Sequence, residues 1–210
     1  MNPPVPVFMY ATAPKPKDSL AIVHLDEKTF CDFARRHGTS DEIGRIATFF
    51  DDAEKKSGNL HCPPRLYGLS GCGRLAVIVC LTVHDNVGDD HQACRLDSVI
   101  TDKTLRKRGL ASLLIAQAFL DALADEELSI STLHSHAVHP GTVRMLKQLL
   151  FSNPPLKGAP LVTVYLTPDV RPKFISTCER IIQDRTNTLK LNCAFCLQDN
   201  KRKARYWCVP

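Results

Sequence analysis

Apolar positions along the chain change their spacing near residue 65. Before it they recur at helical intervals: Phe30, Phe33 and Ala34 share one face of a segment from Asp26 to His37 that Gly38 closes. Ile43, Ile46, Ala47 and Phe50 line a second helix, for which Ser40, Asp41 and Glu42 offer caps and early acids. From Arg65 the runs shorten to strand length. Leu66–Leu69 and Leu75–Val83 read as two strands joined at Gly71-Cys72-Gly73, and Cys94–Ile100 follows the polar turn Asp85–Gln92. The second of these is apolar on both faces, so it belongs in the middle of a covered sheet.

Leu110 to Ala124 is apolar almost throughout. Gln117, Asp121 and Asp125 recur every four residues, which predicts one solvent stripe on a helix buried elsewhere. Ile130–Ala137 is then a strand, Val143–Leu150 a short helix opened by Pro140-Gly141, and Leu161–Leu166 a further strand. A strand, a long helix and a strand imply a right-handed crossover between parallel neighbours. The proline-rich opening adds Val7–Tyr10 as a short first strand. The expected class is α/β (α+β): a mixed central sheet with helices on both faces.

Residues 168–210 extend this unit of residues 1–167 and are expected to pack on the same domain. Phe174, Ile175, Cys178, Ile181 and Ile182 form one face of a helix, and Thr188–Leu197 with Ala204–Val209 read as a hairpin. Cys193, Cys196 and Cys208 supply three thiols without an evident fourth ligand, so buried free thiols are expected there and no metal. The basic run Lys201–Arg205 before Tyr206-Trp207 is read as a solvated turn of that hairpin.

With 44% apolar and 23% charged residues among 210, an ordinary globular protein is expected, and no apolar run reaches the length of a membrane span. No secretory signal is read at the start, and nine scattered cysteines suit reduced thiols in a cytoplasmic setting. A net charge of +5 suits a polyanionic ligand and leaves RNA open as a partner.

The charge gathers at one junction. Lys103, Arg106, Lys107 and Arg108 stand where strand hands over to helix, with Gly109 among them. Cations oppose a helix dipole at its amino end, by roughly 0.3–1 kcal/mol each. Free N–H groups, the dipole and these side chains together make an anion site instead, which Gly109 lets the ligand approach closely. Neither the P-loop nor the dinucleotide fingerprint is present. The segment reads R-x-x-G-x-A, with Arg106, Gly109 and Ala111 in the specified places. It resembles the pyrophosphate loop of the GNAT superfamily of acyl-CoA-dependent N-acyltransferases. The order of elements is similar to that family's over about 160 residues.

That resemblance implies a splayed parallel strand pair holding acetyl-CoA as co-substrate. The backbone of Val99, Ile100 and Thr101 would hold pantetheine, and Arg106, Lys107, Arg108, Gly109, Leu110, Ala111 and Ser112 the pyrophosphate, with His139 at a cofactor-facing position. The implied activity is acetyl transfer to a primary amine by direct attack in a ternary complex. An idle acyl-CoA-binding module and an aminoacyl-tRNA- or RNA-directed acetyltransferase are the alternatives. The family's usual acid is a tyrosine, and Leu146 stands there. Asp97, His134 and His136 are the candidates for proton handling, since a lysine-like amine, pKa about 10.4, must be neutral to attack.

Overall fold

The computed structural model describes residues 20–55, 62–71, 74–85, 91–136, 140–152 and 162–192. The expected strand Val7–Tyr10, the turn residues Cys72 and Gly73, His139, the hairpin beyond residue 192 and its three cysteines lie outside the described residues. The elements are β1 (Ala21–His24), α1 (Glu27–His37), α2 (Ser40–Lys55), β2 (Arg65–Gly71), β3 (Arg74–Asp85), β4 (Gln92–Thr101), α3 (Leu110–Leu123), β5 (Ile130–Ser135), α4 (Pro140–Gln148), β6 (Val162–Tyr165) and α5 (Val170–Asn192). The strand at Ala21–His24 was not legible. Four residues flanked by a proline-rich stretch carry too little alternation to stand out.

The six strands lie in the order β1-β2-β3-β4-β5-β6. All neighbours are antiparallel except β4 and β5. β3, apolar on both faces, runs inside the sheet and is buried from Ala76 to Val83. One face carries α1 and α2 over Phe30, Phe33, Ile46, Ile78 and Ile100. The other carries α3, whose two sides are covered by the sheet and by α5.

That double cover explains why α3 is apolar nearly all round. Phe119 of α3, Phe151 after α4 and Phe174 of α5 meet with ring centroids 5.7–6.3 Å apart. α5 runs antiparallel to α3. At its start Arg171 donates to the carbonyls of Leu123 and Ile130, at 3.4 and 3.2 Å, placing a cation at the carboxyl end of α3. No helix of the described residues is long and apolar enough to cross a membrane.

Three expectations need correction. The stripe Gln117, Asp121, Asp125 is only partly open to solvent: Tyr67 donates to Asp121 at 2.6 Å and Arg65 pairs with Asp125, so its two carboxylates tie α3 and the turn after it to β2. A period-four polar row fits either use, because buried donors on a neighbour satisfy carboxylates as water does. Thr188–Asn192 is helical, the end of α5, and not strand. The cap of α2 is Thr39, not Ser40: Glu42 N–H donates to Thr39 Oγ1 and Thr39 N–H to Glu42 Oε2, at 3.2 and 2.7 Å, a reciprocal box.

Candidate functional site

The site is where β4 and β5 part. Their parallel pairing runs from Gln92↔Ile130 to Leu96↔Ser135. At its end Ser135 Oγ donates to the Leu96 carbonyl at 3.2 Å. Beyond that point β4 continues to Thr101 on β3 alone, pairing Ser98 with Cys80, Val99 with Val79 and Ile100 with Ile78. Asp97 is the extra residue of a bulge between Cys80 and Leu81 opposite. A bulge bends its strand and sharpens the local twist, which carries β4 away from β5. The cleft so opened is lined by residues 97–100, by Ser135 at the end of β5 and His136 just past it, by Thr142 on α4, and by Glu42 and Arg45 at the start of α2.

The junction from β4 to α3 is built on Asp102, a residue sequence reading passed over. It is fully buried. Its carboxylate accepts from Thr104 N–H at 2.8 Å and Thr104 Oγ1 at 2.6 Å, and pairs with Arg74. The ring of His37 stands 3.5 Å away. Burial alone would raise the Asp102 pKa; hydrogen bonds from Thr104 and the charges of Arg74 and His37 bring it below the ordinary carboxylate value. The signal was the spacing Asp102-x-Thr104 just past a strand, an Asx-type turn.

Arg106 serves this scaffold. Its guanidinium reaches the His37 carbonyl at 3.1 Å and the Thr101 carbonyl at 3.4 Å, tying the loop to the end of α1. Lys107 and Gly109 have φ of 64° and 76°, and Gly109 is the N-cap of α3. The cap has no side-chain hydrogen bond and the first turn no acid, so the leading amides of α3 are uncapped by any side chain. Lys107 is exposed, whereas the side chains of Leu110 and Ser112 are buried. Leu110, Ala111 and Ser112 could therefore serve an anion through their amides, as a helix start does.

On the sheet face that α1 and α2 pack against, toward the cleft, stand the proton-handling candidates. Asp97 is mostly buried, with Oδ1 accepting from Arg95 Nε at 2.5 Å and Oδ2 from Thr82 Oγ1. Burial raises its pKa against the lowering effects of Arg95 and Thr82. Thr82 Oγ1 also lies 2.9 Å from His84 Nε2. A hydroxyl has one proton; while Thr82 donates it to ionised Asp97, His84 must carry hydrogen on Nε2.

His134 and His136 stand on that face with ring centroids 6.2 Å apart. Burial, with Arg95 and the other histidines nearby, lowers the His134 pKa to about 4. His134 is therefore neutral at pH 7 and has a lone pair to offer. Because its folded pKa lies below the unfolded value of about 6.5, the unfolded chain takes up the proton first as pH falls. The stabilisation is full above pH 6.5 and is lost toward pH 4. Urea midpoints across that window are expected to fall more steeply in the parent protein than in His134→Gln. Equal slopes would contradict the shift.

No protein-family model matches this sequence, and none of the curated proteins does. The fold does match solved structures. A point mutant of the AtaT toxin, bound to the AtaR C-terminus and acetyl-CoA, superposes with a TM-score of 0.53 at 16% identity, over 79% of this chain and 99% of that one. AtaT complexed with acetyl-methionyl-tRNAfMet gives 0.51 at 15% identity, over 74% and 99%. A GNAT-family protein from Desulfovibrio desulfuricans gives 0.52 at 12% identity, over 71% and 100%. The chain has the GNAT fold.

Proposed function

We propose that this chain is an acyl-CoA-dependent N-acyltransferase that moves an acetyl group from acetyl-CoA to a primary amine by direct attack in a ternary complex. The observation that carries the reading is the parting of β4 from β5 beyond Leu96 and Ser135, with a glycine-capped, cation-flanked helix start at its end, in a fold of which one solved example, AtaT, is bound to acetyl-CoA. The donor set fits a diphosphate. Exposed Lys107 makes no ion pair among the described residues, and the first amides of α3 have no side-chain cap.

Acetyl-CoA supplies a thioester, an acyl group already activated toward an amine. The backbone of Val99, Ile100 and Thr101, which has no β5 partner, would hold the pantetheine arm as an added strand would be held. Asp97 sits at the bulge and lines the cleft, with both oxygens anchored and its pKa raised. It would accept the proton of the attacking amine. Neutral His134 stands on the same face, and His136 lines the cleft as a second acceptor. Leu146 is fully buried in the core, so the position of the family's tyrosine offers no acid here. Return of the proton to sulfur then falls to Asp97 itself or to solvent, since a thiol with pKa about 8.5 is a fair leaving group.

Thiol release from acetyl-CoA in the presence of amine pools tests this directly. Asp97→Asn is expected to slow it by about 10²–10⁴-fold while leaving acetyl-CoA affinity unchanged. An unaltered rate would remove Asp97 from the chemistry. A second reading, an RNA-directed acetyltransferase, is favoured by the structural similarity to AtaT, which has been seen with acetyl-methionyl-tRNAfMet, and by exposed Lys103, Arg106 and Lys107 in the junction between β4 and α3. Binding of bulk tRNA that weakens steeply with salt would support it.

A further inference from the structure

The helix start that would hold the diphosphate is overlooked by a residue from the other end of the chain. α5 passes antiparallel along α3, and where it reaches the N-terminus of α3 its Arg185 lies over Gly109. A Cβ built on Gly109 would stand 2.8 Å from Arg185 Cδ, 2.8 Å from Nε and 3.0 Å from Cζ. The glycine is thus needed for its φ of 76° and also for the room it gives this guanidinium.

Arg185 is half-buried. Among the described residues it makes no hydrogen bond and no ion pair. Its neighbour Asp184 is placed about 100° round the helix. An arginine fork has five N–H donors and cannot shed its charge, so leaving it unpaired in a partly desolvated place is unfavourable. The place itself makes this worse, because the positive end of the α3 dipole and the cations Lys107 and Arg108 are already there. One anion beside Gly109 would satisfy the Arg185 fork, Lys107 and the leading amides of α3 at once.

We propose that Arg185 is a phosphate-binding residue of the acyl-CoA site, reaching the diphosphate or the 3′-phosphate of the coenzyme from the side of α5. This rests on the acyl-CoA reading above and adds a specific role for the C-terminal helix. The contact would couple that helix to cofactor affinity, because α5 is held along α3 by Phe174, Cys178 and Ile182.

Three probes, coenzyme A, 3′-dephospho-coenzyme A and pantetheine, titrated into the full chain and into Arg185→Ala and Arg185→Lys, test it. Arg185→Ala is expected to weaken coenzyme A by about 10- to 100-fold, as loss of a charged hydrogen bond implies, and to leave pantetheine unchanged. Arg185→Lys should fall between. If dephospho-coenzyme A weakens equally, the contact is to the diphosphate; if only coenzyme A weakens, it is to the 3′-phosphate. Unchanged or tighter binding of coenzyme A by Arg185→Ala overturns the assignment, and so does an equal loss for pantetheine, which would mark a structural effect. Failure of the parent protein to bind coenzyme A would instead overturn the acyl-CoA reading, and the role of Arg185 with it.

Discussion

Asp102→Ala is expected to lower the free energy of unfolding by about 1.5–3 kcal/mol, the size of a hydrogen bond to a buried charged group, read as a shift of the urea midpoint at pH 7. The carboxylate is fully buried and accepts from Thr104 twice. Its removal leaves the Thr104 donors without that acceptor, whereas the partly exposed guanidinium of Arg74 can turn to water, so the lost pairing itself adds little. The backbone bonds of the turn, Asp102 N–H to the Ala76 carbonyl and Leu105 N–H to the Asp102 carbonyl, both at 2.8 Å, survive the substitution, but the loop loses the carboxylate that holds Thr104 and Arg74 to it. Acetyl-CoA affinity should fall in parallel. A loss of stability below about 1 kcal/mol, the range of an exposed pair, would contradict the view of Asp102 as the anchor of the junction.

Gly109→Ala should do less to the fold and more to the ligand. A left-handed residue with a Cβ costs roughly 1–2 kcal/mol, and the added methyl would stand within 3 Å of Arg185 and push it aside. Thermal unfolding should report the first effect, a decrease of several degrees. Acetyl-CoA titration should report the second, a loss of at least about tenfold, the size of one charged hydrogen bond. Full affinity in this variant would mean that neither the glycine conformation nor the position of Arg185 matters to the site.

The parts of this fold legible in the sequence were those set by periodicity. β3, buried on both faces, and α1, with Phe30, Phe33 and Ala34 inward, follow from local spacing alone. So does the parallel pair, because a helix as long as α3 between two strands leaves few other connections. The junction was legible as charge in a place where a helix does not favour it. What could not be read were contacts between distant segments. Arg185 meets Gly109 across 76 positions (185 minus 109), and nothing local to either residue announces it. Asp121 and Asp125 looked solvated because spacing says which face a residue shares and not what covers that face. Thr188–Asn192 has the β-branched and apolar residues of a strand, yet it continues a helix already stabilised by packing on α3.

Asp97 lies between these cases. Its position on the strand before the loop made it a candidate. Its bulge, its hydrogen bond from Thr82 and the link onward to His84 depend on the register of β3 against β4, which only the paired strands reveal.

The measurement that bears most directly on the central claim is calorimetric titration of acetyl-CoA into the intact chain and into Lys107→Glu. Lys107 is exposed and makes no ion pair among the described residues, so the substitution should leave the fold intact while reversing charge at the mouth of α3. Saturable one-to-one binding by the parent, weakened about tenfold or more in the variant, is the expected result. No binding by the parent, or equal affinity in the two, would contradict an acyl-CoA site at the junction of β4 and α3.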